Sequence, residues 1–351
     1  MRNTPRVQKI LIPSELRYDL VSKDWVVIAT GRAKRPEAFL KDKRPAAPFP
    51  KNACPFEHIE EQEYPTTVFY RGKRINGFPD DLRKLQWTTV SFPNKFPAFA
   101  PGISKKERSV GPYRAMDGVG FHEVVVTRDH SKDIPEFQIS QVKELINTYQ
   151  ERYLSLMNER FVSYISIFRN KGASAGATVG HPHSQVIAMP VTDPDIQRSL
   201  QNSADFFARS KKCVHCVMIA WDLQERSTIV FENDCFIVVC PFASRVAFEM
   251  RIYPLEHLAY FERATDHQKE CLAQALQAAL RKLKKGLKDP DYNYFLHTAP
   301  PDGKNYDHYH WHFEILPKTA TWAGFELGTG IEISTIEPEK AAAFLKKQNH
   351  A

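Results

Sequence analysis

The sequence predicts an α+β fold made of two similar halves. Each half contains short β-rich runs, one long amphipathic helix, and a last strand that starts with histidines and ends at a proline. The histidine-rich segments start at His181 and His308, and each reaches a proline nine residues later, at Pro190 and Pro317. A repeated order of elements with matched motifs indicates internal duplication, here of a unit of roughly 150 residues. We therefore predict an N-terminal half over residues 1–192 and a C-terminal half over residues 193–351.

Each half is predicted to contain one long helix. In the N-terminal half, apolar residues from Val142 to Met157 repeat at the spacing of one helix face. In the C-terminal half, leucines and alanines form such a face over residues 266–285, where Thr265 can cap the start and Gly286 the end. A further helix is predicted over residues 195–209.

Runs of β-branched and aromatic residues predict the strands. In the N-terminal half they cover residues 25–28, 121–127, 164–168 and 185–189. In the C-terminal half they cover residues 228–231, 235–240, 248–253, 292–297 and 311–316. Residues 40–115 are rich in proline, lysine and aromatic side chains, which indicates loops and short strands.

Composition and charge disfavour several classes of protein. Of the 351 residues, 42% are hydrophobic and 25% are charged, as is typical of a soluble globular chain. The chain has no long apolar run, so neither a transmembrane helix nor a secretory signal is predicted. Six cysteines in this length indicate reduced thiols in the cytoplasm. The net charge of +7 is dispersed, which is typical of a solvated surface rather than of nucleic-acid binding, and it also suits a small anionic substrate.

The N-terminal histidine strand carries a candidate catalytic motif, His181-Pro-His183-Ser-Gln185. Alternate residues of a strand share a face, so His181, His183 and Gln185 are predicted to project to one side. An imidazole can attack phosphorus and form a phosphoramidate, which divides one difficult displacement into two. A neighbouring amide can donate to the phosphoryl oxygens. The alternative is a pair of ordinary strand histidines.

A turn of small residues precedes this motif, over residues 170–180. Small residues let backbone amides approach an anion closely. The turn therefore supplies candidate substrate-binding residues, which are Asn170, Gly172, Ser174, Gly176 and Thr178.

A Cys-x-x-Cys pair, Cys213 and Cys216, lies in the C-terminal half. Two thiolates and two imidazoles make a tetrahedral zinc site of the structural kind, and His257 and His310 are the candidate imidazoles. A redox role for the pair would need a thioredoxin-like βαβ context, which the pattern lacks. The alternatives are His308 and His312 in place of His310, with His215 as a weaker local competitor.

These motifs resemble the galactose-1-phosphate uridylyltransferase family, a branch of the histidine-triad superfamily. The family pattern is a small-residue turn followed by His-x-His-x-Gln, and the resemblance extends over nearly the whole chain. It implies that His183 is the nucleophile that carries the nucleotidyl group, that Gln185 steadies the intermediate, and that His181 is a metal ligand. It also implies two histidine-triad-like halves, each an antiparallel sheet with a packed long helix, and a homodimer with the site near the subunit interface.

The resemblance also implies substrate contacts outside the histidine strand. Arg32 and Arg35 stand in a segment similar to the family's phosphate-binding basic segment, and their forked guanidinium groups suit a diphosphate. Asn94 stands where the family has a nucleoside-contacting asparagine, although a lysine follows it where the uridylyltransferases typically have aspartate. Phe325 and Glu326 belong to a Gly-aromatic-Glu segment that meets the hexose in the family.

In the family, the N-terminal half has a metal site built from a Cys-x-x-Cys pair and two histidines. Here Cys54, His130 and His181 match three of these ligands, and Glu57 stands in place of the second cysteine. Because zinc accepts oxygen or nitrogen, Glu57 or His58 can complete a mixed site, and the alternative is an empty site with a buried thiol. The family's iron-type site usually needs a glutamate fourteen residues after the glutamine. This chain has serine at that position, 199, so no such site is predicted.

The predicted function is exchange of a nucleoside monophosphate between a sugar nucleotide and a hexose-1-phosphate or phosphate, through a nucleotidyl-histidine. The first choice is a UDP-glucose–hexose-1-phosphate uridylyltransferase of galactose metabolism. An ADP-glucose phosphorylase-type adenylyltransferase is the alternative, because the small-residue turn and residues 324–330 look closer to that branch. A non-catalytic nucleotide-binding protein is a third alternative. A zinc-stabilised nucleic-acid binder is disfavoured, because the basic residues form no concentrated face.

Overall fold

The fold places both histidine-rich strands inside one large sheet. A computed structural model describes residues 14–29, 39, 50–102 and 105–348. The α-helices of this part of the chain are α1 (Ile139–Leu156), α2 (Pro194–Ser210), α3 (Val214–Glu225), α4 (Asp266–Leu287), α5 (Gly324–Thr329) and α6 (Pro338–Lys346). Its strands are β1 (Glu15–Tyr18), β2 (Trp25–Ile28), β3 (Thr67–Tyr70), β4 (Lys73–Arg74), β5 (Thr89–Pro93), β6 (Glu107–Val110), β7 (Tyr113–Met116), β8 (Phe121–Thr127), β9 (Tyr164–Lys171), β10 (His183–Met189), β11 (Ile229–Glu232), β12 (Phe236–Val239), β13 (Met250–Pro254), β14 (Tyr292–His297), β15 (His312–Pro317) and β16 (Ile333–Ser334).

Eleven of these strands form one sheet in the order β11-β12-β13-β15-β14-β9-β10-β8-β5-β3-β4. Neighbouring strands in this sheet pair antiparallel throughout. Strands β1, β2 and β16 form a separate small sheet, and β6 pairs with β7. The α+β class with antiparallel sheets, predicted from the sequence, is confirmed.

The large sheet contains the same strand order twice. With the edge strand β4 set aside, the series β3-β5-β8-β10-β9 and β11-β12-β13-β15-β14 run towards the centre from opposite sides, and in both the last two strands are exchanged relative to chain order. A long helix stands at the same step of each series, because α1 follows β8 and α4 follows β13. The two series meet where β9 pairs with β14, with Phe168 opposite Phe295. The histidine-rich strands β10 and β15 therefore occupy equivalent positions.

The two long helices pack against each other and against the sheet, and their apolar faces join one core. Leu145 and Ile146 of α1 and Leu272 and Leu276 of α4 are fully buried in it. The predicted cap of α4 is confirmed, because the Thr265 hydroxyl accepts a hydrogen bond from the backbone amide three residues later. Helix α1 connects β8 to β9, the two strands that flank β10, and α4 connects β13 to β14, the two strands that flank β15.

The predicted end of α4 at Gly286 is wrong. The helix continues through Leu287, and Lys288 takes the left-handed conformation beyond it. Gly286 instead lies where α6 crosses the helix, and a Cβ atom there would stand 3.0 Å from the Phe344 ring. The glycine therefore permits a close helix–helix approach, a role that cannot be read from a local capping pattern.

The helix predicted over residues 195–209 is confirmed as α2. The sequence did not predict α3 or α6, and α3 is short, with apolar residues around much of its surface. None of the helices in the described part of the chain combines the length and the apolar character needed to span a lipid bilayer.

Candidate active site and metal centres

Strand β10 lies between β8 and β9, and its side chains alternate between two faces. Ser184 points to the helix side, where its hydroxyl lies 2.5 Å from the Tyr149 hydroxyl of α1. His183 and Gln185 therefore project from the opposite side. The ring of Phe56 contacts both His181 and His183 edge-on, with centroid distances of 5.7 and 5.1 Å.

The contacts of His183 fix the tautomer of its imidazole ring. Its Nδ1 lies 2.9 Å from the carbonyl oxygen of His181, and a carbonyl can only accept, so Nδ1 carries the proton. The lone pair of a neutral imidazole then lies on Nε2. The side chain is only 8% exposed, and burial lowers the pKa of His183. The ring is therefore held neutral, which is the form that can attack phosphorus.

Gln185 is held by His122, a residue that no local sequence motif marks. The backbone amide of Ala98 donates to Nδ1 of His122, so Nε2 of that ring carries the proton. This Nε2 lies 2.8 Å from Oε1 of Gln185 and therefore donates to it. Burial lowers the pKa of His122, which favours the neutral imidazole in this tautomer. The bond fixes the amide oxygen of Gln185 and turns its NH₂ group away from His122.

Asn94 joins the same group at the end of β5. Its Nδ2 lies 3.2 Å from Nε2 of His122, and its Oδ1 accepts from the backbone amide of Phe96. The structure thus brings Asn94, His122 and Gln185 together. Their proximity depends on the β5–β8–β10 pairing, where Val124 faces Gln185 and His122 lies two residues further along the same face of β8. Only the strand register could have revealed His122.

The small-residue turn before β10 is anchored by Asp291, which precedes β14. The carboxylate of Asp291 accepts from the backbone amide of Ser174 at 2.9 Å and also from the Ser174 hydroxyl. Asn293 donates to Oδ1 of Asn170 and to the carbonyl of Ala175, both at 2.8 Å. The same turn contains three further predicted substrate residues, which are Gly172, Gly176 and Thr178. Both glycines have positive φ.

Gly172→Ala is expected to destabilise the protein by about 1–3 kcal/mol. Gly172 has φ +84° and ψ 160°, a region essentially limited to glycine. A Cβ atom there would also stand 2.1 Å from the Asp291 carboxylate. Urea unfolding measures the effect. Gly77→Ala is the matched control, because Gly77 also has positive φ (+78°) but an added Cβ there would meet nothing within 4 Å. An equal cost for both variants would contradict the proposed clash.

A buried polar network supports β10 from the helix side. Arg169 of β9 is 1% exposed, pairs with Asp133 at 2.5 Å, and lies 3.4 Å from the Ser184 hydroxyl. The Tyr149 hydroxyl also lies 2.6 Å from that of Tyr294, which links β10 to β14. The strand that carries His183 is thus fixed by charge-assisted bonds directly behind it.

The four predicted ligands of the C-terminal half converge. Cys213, Cys216, His257 and His310 present ligand atoms that all lie within 4.8 Å of one another. Cys216 Sγ is 3.2 Å from Nδ1 of His257 and 3.6 Å from Nδ1 of His310. Tetrahedral zinc, with bonds of about 2.3 Å to sulfur and 2.0–2.1 Å to nitrogen, separates such atoms by about 3.6 Å. Hydrogen bonding from the Cys216 thiol lowers the pKa of Cys213, which favours a thiolate.

The orientation of both imidazoles fits a metal. Nε2 of His257 donates to the carbonyl of Asp307 at 2.6 Å, and Nε2 of His310 donates to that of Pro254 at 2.9 Å. Each Nδ1 is left with its lone pair towards the thiols, which is the arrangement of metal-bound histidines. The alternatives His308, His312 and His215 lie outside this group of four.

The N-terminal ligands also converge, with Glu57 beside them. Cys54, His130 and His181 form a group within 4.8 Å, with 3.5 Å from Cys54 Sγ to His181 Nδ1 and 3.2 Å between the two Nδ1 atoms. Nε2 of His181 donates to the Thr127 carbonyl, and burial lowers the pKa of His181 to about 4. Nδ1 of the neutral ring is therefore unprotonated, and it faces Cys54 and His130.

Glu57 fits as the fourth ligand of this centre. Its Oε1 lies 3.4 Å from Nδ1 of His130 and 3.7 Å from Nδ1 of His181. The same oxygen is buried and has no hydrogen-bond partner. Glu57 does not belong to the group of Cys54, His130 and His181, whose ligand atoms all lie within 4.8 Å of one another. A rotation of its carboxylate is therefore needed to complete tetrahedral coordination. A buried oxygen without a hydrogen-bond partner that faces two imidazole nitrogens fits a metal ligand.

Some predicted site residues are not placed at His183. Arg32 and Arg35 lie outside the described residues. Phe325 and Glu326 belong to α5, which contains no buried residue, and Glu326 accepts from the Ala323 amide at the start of its own helix. A single chain therefore leaves the segment that contains Phe325 and Glu326 exposed.

In the C-terminal half, His312 makes the same backbone hydrogen bond as His183, but the side chains around it differ. Nδ1 of His312 donates to the carbonyl of His310 at 3.1 Å, as His183 does to His181. Glu314 takes the place of the glutamine, and His297 stacks on His312 with a centroid distance of 5.0 Å. These side chains and Ser199 line a cavity of about 310 Å³. His297, His312 and Glu314 form a further group whose ligand atoms lie within 4.8 Å of one another.

Known proteins match the chain along nearly its full length. The family described as galactose-1-phosphate uridyl transferase, N-terminal domain, matches residues 6–192, and a domain of unknown function (DUF4921) matches residues 118–348. The chain is 32% identical over 339 residues to ADP-glucose phosphorylase from Arabidopsis thaliana, across 95% of this chain and 92% of that protein. It is 28% identical over 346 residues to galactose-1-phosphate uridylyltransferase from Thermotoga maritima, across 95% and 98%.

A solved structure shows the same architecture. The crystal structure of an ADP-glucose phosphorylase from Arabidopsis thaliana with bound ADP-glucose has a TM-score of 0.77 and 27% identity, across 95% of this chain and 99% of that chain. The fold, the histidine strand and these relatives define a protein of the nucleotidyltransferase class. The chain belongs to the galactose-1-phosphate uridylyltransferase family.

Proposed function

We propose that this protein transfers a nucleoside monophosphate between phosphates through a covalent bond to His183. The observation that carries the proposal is the hydrogen bond from Nδ1 of His183 to the His181 carbonyl, which leaves the lone pair on Nε2 of a neutral ring. The buried network behind β10 holds that ring in place, which reduces the entropic cost of attack.

In the first step, Nε2 of His183 attacks the α-phosphorus of a nucleoside diphosphate sugar. A P–N bond forms, the P–O bond to the β-phosphate breaks, and hexose-1-phosphate leaves. In the second step, an oxygen of an acceptor phosphate attacks the same phosphorus, and the P–N bond breaks. Gln185, with its Oε1 engaged by His122, directs its NH₂ group to the phosphoryl oxygens, where charge develops.

Two donors are candidates. The sequence favours uridylyl exchange with a hexose-1-phosphate, and the 28% identity to a galactose-1-phosphate uridylyltransferase supports it. The 32% identity to ADP-glucose phosphorylase supports phosphorolysis of ADP-glucose, in which free phosphate is the acceptor. The small-residue turn and residues 324–330, which look closer to the adenylyl branch, add weight to the adenylyl donor.

Mass spectrometry of the intact protein tests the function and the donor together. We expect a nucleotidyl adduct after mixing with UDP-glucose or with ADP-glucose, and the sugar nucleotide that gives it identifies the base. Adding galactose-1-phosphate or inorganic phosphate to the adduct then identifies the acceptor. Absence of an adduct with either donor, in folded and metal-loaded protein, would favour the non-catalytic nucleotide-binding alternative.

His122→Phe is expected to lower kcat by roughly 10- to 100-fold, because it frees the Gln185 amide to leave its productive position. Steady-state kinetics measure the effect, with KM changing less than kcat. His122→Gln is the matched variant, because its amide can still donate to Oε1 of Gln185, and it should retain more activity. Equal kcat in wild type and His122→Phe would show that this bond does not position Gln185.

We propose that the Cys-x-x-Cys group of the C-terminal half and the Cys54 group of the N-terminal half each bind Zn²⁺. The C-terminal group supplies two thiolates and two imidazoles, and the N-terminal group supplies Cys54, His130, His181 and Glu57. Four protein ligands leave no open position, so the bound ion has a structural role. The N-terminal ion would fix His181, whose carbonyl orients the His183 ring.

The duplicated architecture and the assembly are further parts of the proposal. The twofold strand order supports two histidine-triad-like halves, 1–192 with the nucleophile strand and 193–351 with the Cys-x-x-Cys centre. The exposed apolar side chains Trp322, Phe325 and Leu327 support a homodimer in which α5 completes a neighbouring site. The six free thiols support a cytoplasmic location.

A further inference from the structure

A fourth group of candidate metal-binding side chains shares no residue with the C-terminal and N-terminal centres or with the group of His297, His312 and Glu314. Cys235 stands in the turn between β11 and β12, at the edge of the large sheet, and His267 and Cys271 lie on the first two turns of α4. A spacing of four residues places His267 and Cys271 on one helix face. One ligand atom from each of the three residues lies within 4.8 Å of the other two.

The turn that carries Cys235 is fixed against the helix. Oδ1 of Asn233 accepts from the backbone amides of Cys235 and Phe236, at 3.2 and 2.9 Å. Its Nδ2 donates to the carbonyl of Cys271 at 2.9 Å. The carbonyl of Cys235 accepts from the amide of Leu255 at 2.7 Å. The cysteine is thus held over α4 before any ligand binds, and such preorganisation favours binding.

The ligand types and spacing match a soft cation. Cys271 Sγ lies 3.8 Å from Nε2 of His267, close to the separation of about 3.6 Å for tetrahedral zinc. Thiolate and imidazole together select zinc and related soft ions over magnesium or calcium. His267 is exposed, Cys235 is half-buried and Cys271 is buried. The fourth coordination position of a bound ion would therefore face solvent.

The local charge also favours a cation. Asp234 and Glu270 directly precede Cys235 and Cys271 in the chain, and both carboxylates act electrostatically on the Cys271 thiol. A divalent ion would displace two protons and bind two thiolates and one neutral imidazole, with zero net charge at the centre.

We infer that Cys235, His267 and Cys271 bind one Zn²⁺ ion, with water as the fourth ligand. The ion would join the first turns of α4 to the edge turn of the sheet. With an open position and an exposed histidine, this centre should bind zinc more weakly than the centres with four protein ligands, so it fills last.

Metal titration of the full-length protein under reducing conditions tests the inference. We expect the wild type to bind one equivalent of Zn²⁺ more than Cys235→Ser, His267→Gln or Cys271→Ser. Co²⁺ added to protein whose stronger sites already hold zinc should give thiolate-to-cobalt charge-transfer absorption, which the three variants lack. His267→Gln alters an exposed side chain, so it tests the inference even if Cys271→Ser fails to fold.

Cys240→Ala is the matched control. Cys240 is a buried thiol beside the end of β12 and belongs to none of the metal-binding groups found among the described residues. This variant should keep the full metal stoichiometry and the cobalt absorption. Equal zinc stoichiometry in wild type and His267→Gln, or cobalt absorption that persists in Cys235→Ser, would overturn the inference.

Discussion

His183→Ala should abolish the nucleotidyl adduct and lower turnover by roughly 10³-fold or more. Alanine removes the nucleophilic nitrogen, so the P–N bond cannot form and the reaction loses its two-step route. The buried position, 8% exposed, means that water cannot readily take the place of the ring with the same orientation. Intact-protein mass spectrometry measures the adduct, and steady-state kinetics measure turnover.

His312→Ala is the matched control for this substitution. His312 has the same bond from Nδ1 to the carbonyl two residues earlier, but Glu314 replaces the glutamine beside it. The variant should still form the adduct, with activity near that of the wild type once folded. An adduct that persists in His183→Ala, or that disappears only in His312→Ala, would move the nucleophile to the other histidine strand.

Local sequence patterns predicted most of the elements around the site. The period of apolar residues indicated both long helices, and alternation placed His183 and Gln185 on one face of β10. These features depend on residues that are close together in the chain, so they can be recognised from the sequence alone. The failure at Gly286 has the opposite cause, because its neighbour in space is Phe344 of α6.

The missed residues all act across long separations in the chain. His122 holds Gln185 only because β8 pairs with β10, and Asp291 holds the Ser174 turn only because β14 pairs with β9. Each is a polar residue without a local motif. Their roles follow from strand register, which neither composition nor spacing specifies.

The choice among the late histidines has the same origin. The sequence left His308 and His312 as alternatives to His310, since all three lie within one short segment. The structure brings His310 to the thiols. The carbonyl of Pro254 accepts a hydrogen bond from Nε2 of His310, which leaves Nδ1 facing Cys216. Pro254 ends β13, the strand that pairs with β15, so this selection required the sheet order.

Arg169→Met should destabilise the protein by about 3–5 kcal/mol, because it leaves Asp133 buried and without its cation. Arg169 is 1% exposed, and its pair with Asp133 lies directly behind the His183 strand. Urea unfolding measures the loss. Activity should fall further than the loss of folded protein explains, since Ser184 loses a contact that helps to fix β10. Replacing Asp133 with leucine as well should recover part of the stability, because no unpaired charge then remains.

Arg198→Met is the control for the loss of an arginine. Arg198 pairs with Asp195 at 2.8 Å, but its side chain is 48% exposed, so its removal should cost less than about 1 kcal/mol. The difference between the two variants isolates the effect of burial. If both arginines prove equally dispensable, the Asp133 carboxylate must find water or another partner, and the ion pair cannot be what holds the nucleophile strand in place.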